Sequence, residues 1–509
     1  MTSATRTLQA ASDPRLGFGL GLELEAIVAA LSTQYTVVTG PKQFVRRARL
    51  DTFDRRLREA GLTLEHQMVA TGERLVLRGP GGASPVAVPV TGLHWPALAE
   101  VLPTGPVREA IAPVTGIRAL TVASDERRRV RLLELHNEDG KTVVRVELDE
   151  PVSAAAAPAQ VTVRALRGYD DQARRAGRLL DNLGFHGVEQ GEDREPSSAA
   201  PTAGLDRAAP ANLLLTRALS QFLATMRENL PGLLDDVDTE FLHDFRVAVR
   251  RTRATLKLAR PALPEVMRSR WEPAFKGLGD TTTPVRDLDV YELDLPTMRG
   301  WLVAADPADL EPLATHLRRR RAVERRTLVR RLRSVSFERL VTRWEEELAR
   351  LVDTPEADQE HQSAGQLADR SISRAYRRVA REGALIGADS PAGDLHRLRK
   401  RCKELRYALE VFAPLIDSAA RRRAVADLKG LQDVLGRFQD SEVQRQALRG
   451  FAEEMMAAGT PAGAMLAMGE LIGHLDAEQD RARREFDVAF ARFARPSSLQ
   501  MMHRLGGRR

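Results

Sequence analysis

The sequence predicts an α+β multidomain chain: a mixed, strand-rich N-terminal region followed by an all-α region. Three observations predict it. Short apolar/polar alternations, each bounded by turn residues, fill the first ~185 positions. From Ala211 onward the pattern changes to long segments of 3.6-residue period, rich in Ala, Leu and Arg. Between them Glu189 to Pro210 is rich in Pro, Ala, Ser and acidic residues, the composition of a linker. The expected divisions are therefore 1–187, 188–210 and 211–500.

In the first region the strand candidates are Tyr35–Val38, Glu73–Leu77, Val130–Leu135, Val143–Leu148 and Gln160–Arg164. A helix over Asp170–Leu183 closes the region at Gly184. In the second region Pro and Gly fall mainly between the periodic segments, as expected if each segment is a helix.

Composition narrows the function classes. The chain has 509 residues, 43% hydrophobic and 29% charged, with no apolar run near the ~20 residues that cross a bilayer. Met1 to Arg15 lacks the order of a secretory signal, so the expected location is the cytoplasm. A lone cysteine, Cys402, leaves no internal disulfide framework and no cysteine-built zinc site. Residues 1–200 hold 25 basic and 25 acidic residues, whereas residues 201–509 hold 52 and 45 and carry the whole excess of +7. An excess confined to one region points to a polyanionic partner there: nucleic acid, an acidic membrane surface or inorganic polyphosphate.

The helical region is an internal duplication. His243 through Pro261 aligns on His396 through Pro414 at an offset of 153, with His243/His396, Arg246/Arg399, Arg253/Arg406 and Leu256/Leu409 identical and Arg250/Lys403 conservative. Lys276–Asp280 meets Lys429–Asp433, and Arg286–Val290 meets Gln439–Val443, at the same offset. Two copies of one unit, about 211–350 and 364–500, are expected to be related by a pseudo-twofold axis.

The repeated residues form a ladder. At 100° per residue, His243, Arg246, Arg250, Arg253 and Lys257 fall within about 80° of arc over about 20 Å of helix, with no acid among them. Phe245, Val249 and Leu256 flank the stripe on one side, and Val247, Ala254 and Leu258 on the other. His396, Arg399, Lys403 and Arg406 repeat the stripe, which ends in Glu410. Uncompensated cations are costly to bury and repel one another unless an anion neutralises them, and arginine recognises phosphate oxygens through two parallel hydrogen bonds. Two such ladders facing each other suit a linear, flexible polyanion better than a rigid duplex. A solvated basic face is the competing reading for any single stripe; repetition favours binding. The two histidines fit either a structural hydrogen bond or donation to phosphate. Asp287 and Asp440 are expected to pair with a base or cap a helix. Arg374, Arg377, Arg378 and Arg381 share one helical face, a candidate third wall of the groove. The nine arginines of Arg318–Arg333 run around several faces and are expected to be mostly exposed, and Cys402 falls on an apolar side.

With these residues in place, the C-terminal ~300 residues resemble the CHAD family, the conserved histidine α-helical domain. Its first signature is matched at His243, Arg246, Val247, Arg250, Arg251 and Arg253, followed by Arg286–Val290. The second is matched at His396, Leu398, Arg399, Lys403, Leu405, Arg406, Tyr407, Leu409 and Glu410. The resemblance implies two four-helix bundles around a basic cavity that binds inorganic polyphosphate, without catalysis. The polyphosphate ligands it suggests here are the two ladders with Lys276, Lys429 and the four arginines Arg374, Arg377, Arg378 and Arg381.

The N-terminal region more weakly resembles the CYTH, or triphosphate tunnel, domain, through Leu50–Leu62, Arg127–Leu135 and Val144–Asp149. Catalysis in that family is associated with an N-terminal Glu-x-Glu-x-Lys and further acidic metal ligands. Here the nearest match is Glu23-Leu24-Glu25-Ala26-Ile27, which lacks the lysine and reads as a helix. Glu65-His66-Gln67 stands where basic residues are expected, and Val161–Arg164 where acidic ones are. The expectation is a degenerate, inactive antiparallel β-barrel with no metal or other cofactor. Three functions follow in order: a non-enzymatic polyphosphate binder, associated with polyphosphate granules and capable of homo-oligomer formation; a metal-dependent triphosphate or polyphosphate hydrolase; and a nucleic-acid binder. The last is disfavoured by 5% aromatic content and the lack of a reading motif.

Overall fold

The computed structural model describes residues 5–10, 24–80, 85–152, 159–187, 206–260, 262–353, 362–498 and 500. Most of the expected linker, the Met1–Arg15 segment apart from its strand, Glu23 and Pro261 lie outside the described residues. The chain divides into two compact units, 1–197 and 198–509.

The first unit is built on a ten-stranded antiparallel sheet. Its elements are β1 (Thr5–Ala10), α1 (Leu24–Ser32), β2 (Thr36–Thr39), β3 (Gln43–Thr52), α2 (Arg56–Glu59), β4 (Thr63–Val69), β5 (Gly72–Arg78), β6 (Val86–Val90), α3 (Pro106–Thr115), β7 (Leu120–His136), β8 (Thr142–Pro151), β9 (Gln160–Ala165), α4 (Asp170–Asp181) and β10 (Phe185–Gly187). The order is β10-β1-β9-β8-β7-β3-β4-β5-β6, with β2 also on β7. The sheet curls without closing, since β6 and β10 are its two ends, so the expected barrel is a half-barrel. The 17-residue β7 holds it together, pairing with β3 along its first part and with β2 along its last. Register shifts at Arg49/Leu50 and Leu135/His136 add the local twist a curled sheet needs.

All five strand candidates are found, and α4 ends just before Gly184, whose φ of +86° suits glycine. The segment Glu23–Ile27 is helical from Leu24, as its pattern predicts. The Leu50–Leu62 motif has a structural role. Buried Asp51 accepts from the backbone N–H groups of Thr52, Leu57 and Arg58 at 2.7, 2.9 and 3.1 Å, capping α2 against the end of β3.

The second unit is helical: α5 (Ala211–Asp235), α6 (Thr239–Leu258), α7 (Glu265–Arg299), α8 (Glu311–Leu332), α9 (Val335–Asp353), α10 (Ala364–Gly383), α11 (Ala392–Val411), α12 (Ser418–Ala457) and α13 (Ala462–Phe493). Helices α5, α6 and α7 begin 153 residues before α10, α11 and α12, the offset of the sequence repeat. The fourth helix differs: it is broken into α8 and α9 at Arg333–Ser334 in the first copy and continuous as α13 in the second. Prolines are not confined to the connections, since α7 contains Pro273, Pro284 and Pro296. The missing N–H groups are accommodated because packing outweighs propensity in a buried helix.

The cores do not follow the repeats. One runs through both copies, from Leu215, Phe245 and Trp344 to Leu398, Leu431 and Phe486. The other joins the C-terminal half of α7 and the start of α8 to α12 and α13, through Leu288, Leu313, Phe451 and Leu471. Each fully buried Leu or Phe contributes about 1.5–3 kcal/mol, so this shared interior fixes the two copies rigidly against each other. It thereby fixes α6 against α11.

Candidate anion-binding cleft

Helix α6 is started by Asp238, whose carboxylate accepts from the N–H groups of Glu240 and Phe241 at 2.9 and 3.3 Å. Its apolar shoulder, Phe245, Val249 and Leu256, is wholly buried. That burial fixes the rotation of the helix and sends the cation stripe to the opposite side. Leu398, Cys402, Leu405 and Leu409 do the same for α11. Burial, with Glu382 adding to it, pushes the Cys402 thiol up to about 12, so it is an inert core residue, as its position suggests.

The two ladders meet at their middle rungs. Arg250 and Arg251 of α6 and Arg399, Lys403 and Arg406 of α11 line one cleft of about 330 Å³, with Val247, Tyr407, Glu410 and Gln432. Five cations thus surround a single carboxylate. Glu410 is 3.2 Å from Arg251 and accepts from Arg406 at 2.9 Å, while Gln432 accepts from Arg406 at 3.4 Å. Arg399 donates to Asp440 at 2.9 Å. Arg250 and Lys403 make no ion pair within 4 Å among the described residues, although Asp440 lies near enough to Lys403 to act on it. Burial, then Arg399 and Arg250, pull the Lys403 ammonium down to about 8.

The outer rungs turn elsewhere. Arg246 donates to the Gly279 carbonyl and to the hydroxyls of Thr282 and Thr283 at 3.2, 2.8 and 2.9 Å, which ties α6 to α7. Burial first, and then Arg250 and Arg286, lower it to about 10. Arg253 lies beside Gly279, and Lys257 is exposed. Half-buried His243 is lowered to about 4 by burial and by Arg286, Arg250 and Arg246, and so is neutral at neutral pH. Its counterpart His396 has a partner instead, sharing a hydrogen bond between Nδ1 and the Gln439 side-chain oxygen. Gln439 is the repeat equivalent of Arg286, so one substitution separates the two histidines. Asp440 pairs with Arg399 as expected. Burial raises the pKa of Asp287, against the pull of Arg246 and Arg286.

Two expected placements are corrected. Arg374, Arg377, Arg378 and Arg381 do not form a wall of the cleft. Arg378 lies 3.9 Å from Glu404, which is about 100° around α11 from Lys403, and Arg377 donates to the Ser373 carbonyl of its own helix. Lys276 is exposed and 3.4 Å from Asp280, and Lys429 is exposed; neither lines the cleft. Most arginines of Arg318–Arg333 are exposed, as expected, while Arg321 is partly buried. It donates to fully buried Asp289 at 2.6 Å and to both oxygens of Asp236 at 2.7 and 2.9 Å. Arg251, Tyr407, Glu410 and Gln432 were not candidates from the ladder geometry. Arg251 and Tyr407 stand off the stripe angle, and only the approach of α11 and α12 brings them in.

The half-barrel has its own cavity, lined among others by Arg47, Arg74, Arg78, Glu134, Glu147 and Arg164. Here the charges are already paired. Arg47 donates to Asp149 at 2.7 Å and lies 3.4 Å from Glu65; Arg78 lies 3.7 Å from Glu65, and Arg164 3.5 Å from Glu147. A divalent-metal cage needs several carboxylate oxygens free to converge. No group of three or more such ligands is found among the described residues, and the first strand, Thr5–Ala10, carries no acid. The residues present do not fit the metal that the tunnel family implies.

Comparison with known proteins places the helical unit. No curated protein matches the chain. Solved structures similar to it include the CHAD domain from the plant Ricinus communis, 25% identical over 58% of this chain and 94% of that one, with a TM-score of 0.48. PptA from Streptomyces chartreusis is 18% identical over 55% and 99%, with a TM-score of 0.43. The N-terminal part is similar to a Hippeastrum protein described as having a dominant triphosphatase activity, 11% identical over 38% and 93%, with a TM-score of 0.29. The CHAD family model matches residues 217–449, from α5 through most of α12, and this helical unit carries a CHAD domain.

Proposed function

We propose that the protein is a non-catalytic receptor for inorganic polyphosphate, which it binds in the cleft between α6 and α11. The observation that carries this reading is the convergence of five cations from both repeats on one carboxylate, with neither Arg250 nor Lys403 in an ion pair within 4 Å among the described residues. A chain of phosphates supplies negative charge at every unit and can thread between two helices, which a rigid duplex cannot. Arginine forks suit its paired oxygens. Several of the signature residues that resemble the CHAD family, Arg250, Arg251, Arg399, Lys403 and Arg406 among them, line the cleft.

The half-barrel is proposed to be inactive toward triphosphate, because Glu65, Glu147 and Asp149 are engaged by Arg47, Arg78 and Arg164. The location proposed is the cytoplasm, at polyphosphate granules; no helix among the described residues is long and apolar enough to cross a membrane.

The test is binding of the full chain to long-chain polyphosphate, with single-stranded DNA as competitor at matched phosphate concentration. A variant carrying Arg250, Lys403 and Arg406 changed to Ala is measured beside it. Tight binding that DNA does not displace, and that the variant loses, is expected. Equal displacement by DNA, or an unaffected variant, overturns the proposal.

A further inference from the structure

The duplication puts different cations at equivalent places in the cleft. Arg250 of α6 and Lys403 of α11 stand at the repeat offset of 153, and Lys403 is the one lysine among the five cations that line the cleft. The two side chains differ in chemistry. A guanidinium keeps its proton at any relevant pH and holds phosphate oxygens in a fork, whereas an amine can lose its proton and become a nucleophile. Arg250 makes no ion pair within 4 Å among the described residues, so its fork is open to a ligand. Arg399, one turn before Lys403 on α11, lines the same cleft and has Asp440 at 2.9 Å. Lys403 makes no such pair, and the residue keeps solvent contact, so a dissolved reagent reaches it.

An amine beside a phosphate-binding fork matches one class of reagent. An acyl phosphate carries a phosphate that arginine recognises and a carbonyl carbon that amines attack. Burial, then Arg399 and Arg250, bring the Lys403 amine down to about 8 against the pull of Asp440. At pH 7.5 about one such amine in four is free of its proton, against about one in a thousand for an ordinary lysine. Val247 and Tyr407 line the same cleft and offer an apolar surface to the acyl group. The cleft volume of about 330 Å³ equals about eleven water volumes, enough for a phosphate and a short acyl chain.

We infer that Lys403 is a modification site: acyl phosphates dock their phosphate on Arg250 and Arg399, and Lys403 takes the acyl group. The amine nitrogen bonds to the carbonyl carbon, the bond from that carbon to the bridging oxygen breaks, and inorganic phosphate leaves with the amine's proton. The arginines that held the phosphate neutralise the charge gathering on it as it leaves. The product is an uncharged amide in place of one of the five cations. The docking step rests on the reading that this cleft takes phosphate groups, and the regulatory consequence, weaker polyphosphate binding, rests on the polyphosphate reading itself.

The experiment uses the full-length protein and acetyl phosphate at pH 7.5, with acetylation at each of the seven lysines followed by peptide mass spectrometry. Lys403 is expected to react at least ~10-fold faster than the exposed Lys276, Lys400 and Lys429, at a rate that saturates with acetyl phosphate and is competed by inorganic phosphate. The exposed lysines should show neither saturation nor competition. The N-hydroxysuccinimide ester of acetic acid, which lacks a phosphate, reports the reactivity of the amine alone. Arg250→Gln is expected to slow acetyl phosphate about tenfold more than the ester, as loss of one charge-assisted hydrogen bond predicts. That ratio separates docking from any change in the amine. A rate at Lys403 no higher than at the exposed lysines, a rate linear in acetyl phosphate and indifferent to inorganic phosphate, or an unchanged ratio in Arg250→Gln overturns the inference. Long-chain polyphosphate binding is measured on the same samples, and acetylation of Lys403 is expected to weaken it about tenfold; undiminished binding overturns the regulatory consequence. Failure of the unmodified chain to bind polyphosphate counts against the polyphosphate reading alone, since the mass readout decides acylation without it.

Discussion

Lys403 offers the sharpest test of the cleft. In the free protein burial, and then Arg399 and Arg250, bring its ammonium down to about 8 against the opposing pull of Asp440. A bound polyanion reverses the sign of that environment and returns the group toward or above its ordinary 10.4. Binding in the window between those values therefore takes up a proton, and affinity falls as pH rises through 8. At pH 9, one unit above the free value, about one free molecule in eleven keeps the charge, so affinity is expected to be about tenfold weaker than at pH 6.5. The slope of log K against pH should approach −1 near pH 9. Two controls isolate the group. Lys403→Arg stays charged throughout and should bind well with a flat profile from pH 7 to 9; Lys403→Ala should bind more weakly at pH 6.5, also with a flat profile. The assay is anisotropy of end-labelled polyphosphate at constant ionic strength, with proton uptake measured by calorimetry in two buffers of different ionisation enthalpy. A wild-type profile that is flat between pH 7 and 9, or a Lys403→Arg variant that keeps the slope, refutes the reasoning. The same shift has a consequence without ligand. The folded state holds its proton less tightly than the unfolded chain, so the cost to stability is present below pH 8 and is relieved as pH rises from 8 toward 10.4.

Other outcomes follow from the same geometry. Glu410→Gln removes the one carboxylate of the cleft, which Arg251 and Arg406 share. It should tighten polyphosphate binding about threefold and steepen its salt dependence, read by titration at several salt concentrations. His243 is held near 4, so the unfolded chain takes up the proton first, and stability should decline as pH falls from about 6.5 to 4. With allowance for its partial solvent contact the loss is about 1–2 kcal/mol, measurable by urea unfolding at pH 7 and 4.5 and absent in His243→Gln. Asp289→Asn leaves Arg321 short of its buried counter-ion and should cost about 3 kcal/mol, seen as a lower thermal midpoint with polyphosphate affinity unchanged. Gly383→Ala puts a methyl group into the ring of Phe490 and should cost about 1–3 kcal/mol by the same thermal assay.

The repeat and the angular stripe were legible in the sequence because both are one-dimensional properties. An offset of 153 and a spacing of three and four residues survive without knowledge of any neighbour. What was not legible depends on which helix packs where. Arg246 and Arg250 occupy one stripe, yet Arg246 is drawn to Thr282 and Thr283 of α7 while Arg250 faces the cleft. The arginines of α10 have a perfect helical spacing, but α10 meets α11 on the side of Glu404, not of Lys403. In the half-barrel, β3, which carries Arg46, Arg47 and Arg49, was not among the strand candidates. Pairing with β4 and β7 overrides that composition, and ion pairs with Asp125, Glu65 and Asp149 compensate two of the charges.

Duplication placed the same cations on two helices, but the two copies neutralise them differently, and this decides how a ligand engages them. On α11, Arg399 and Arg406 already have Asp440 and Glu410, so a phosphate arriving there must compete with a carboxylate. On α6, Arg246 donates its hydrogen bonds to uncharged oxygens, with Asp287 and Asp289 acting on it from farther off, and Arg250 makes no ion pair within 4 Å among the described residues. Charge is therefore least compensated where Arg250 faces Lys403, at the centre of the cleft rather than along either helix. Both groups sit above buried apolar shoulders that cannot move away from each other, because one core runs through both repeats. Like charges held together in this way cannot relax by separation and are relieved by an anion between them or, at Lys403, by loss of the proton. On the proposed function, the rigidity that the shared core provides is what would favour a ligand carrying charge at close, regular intervals along its length.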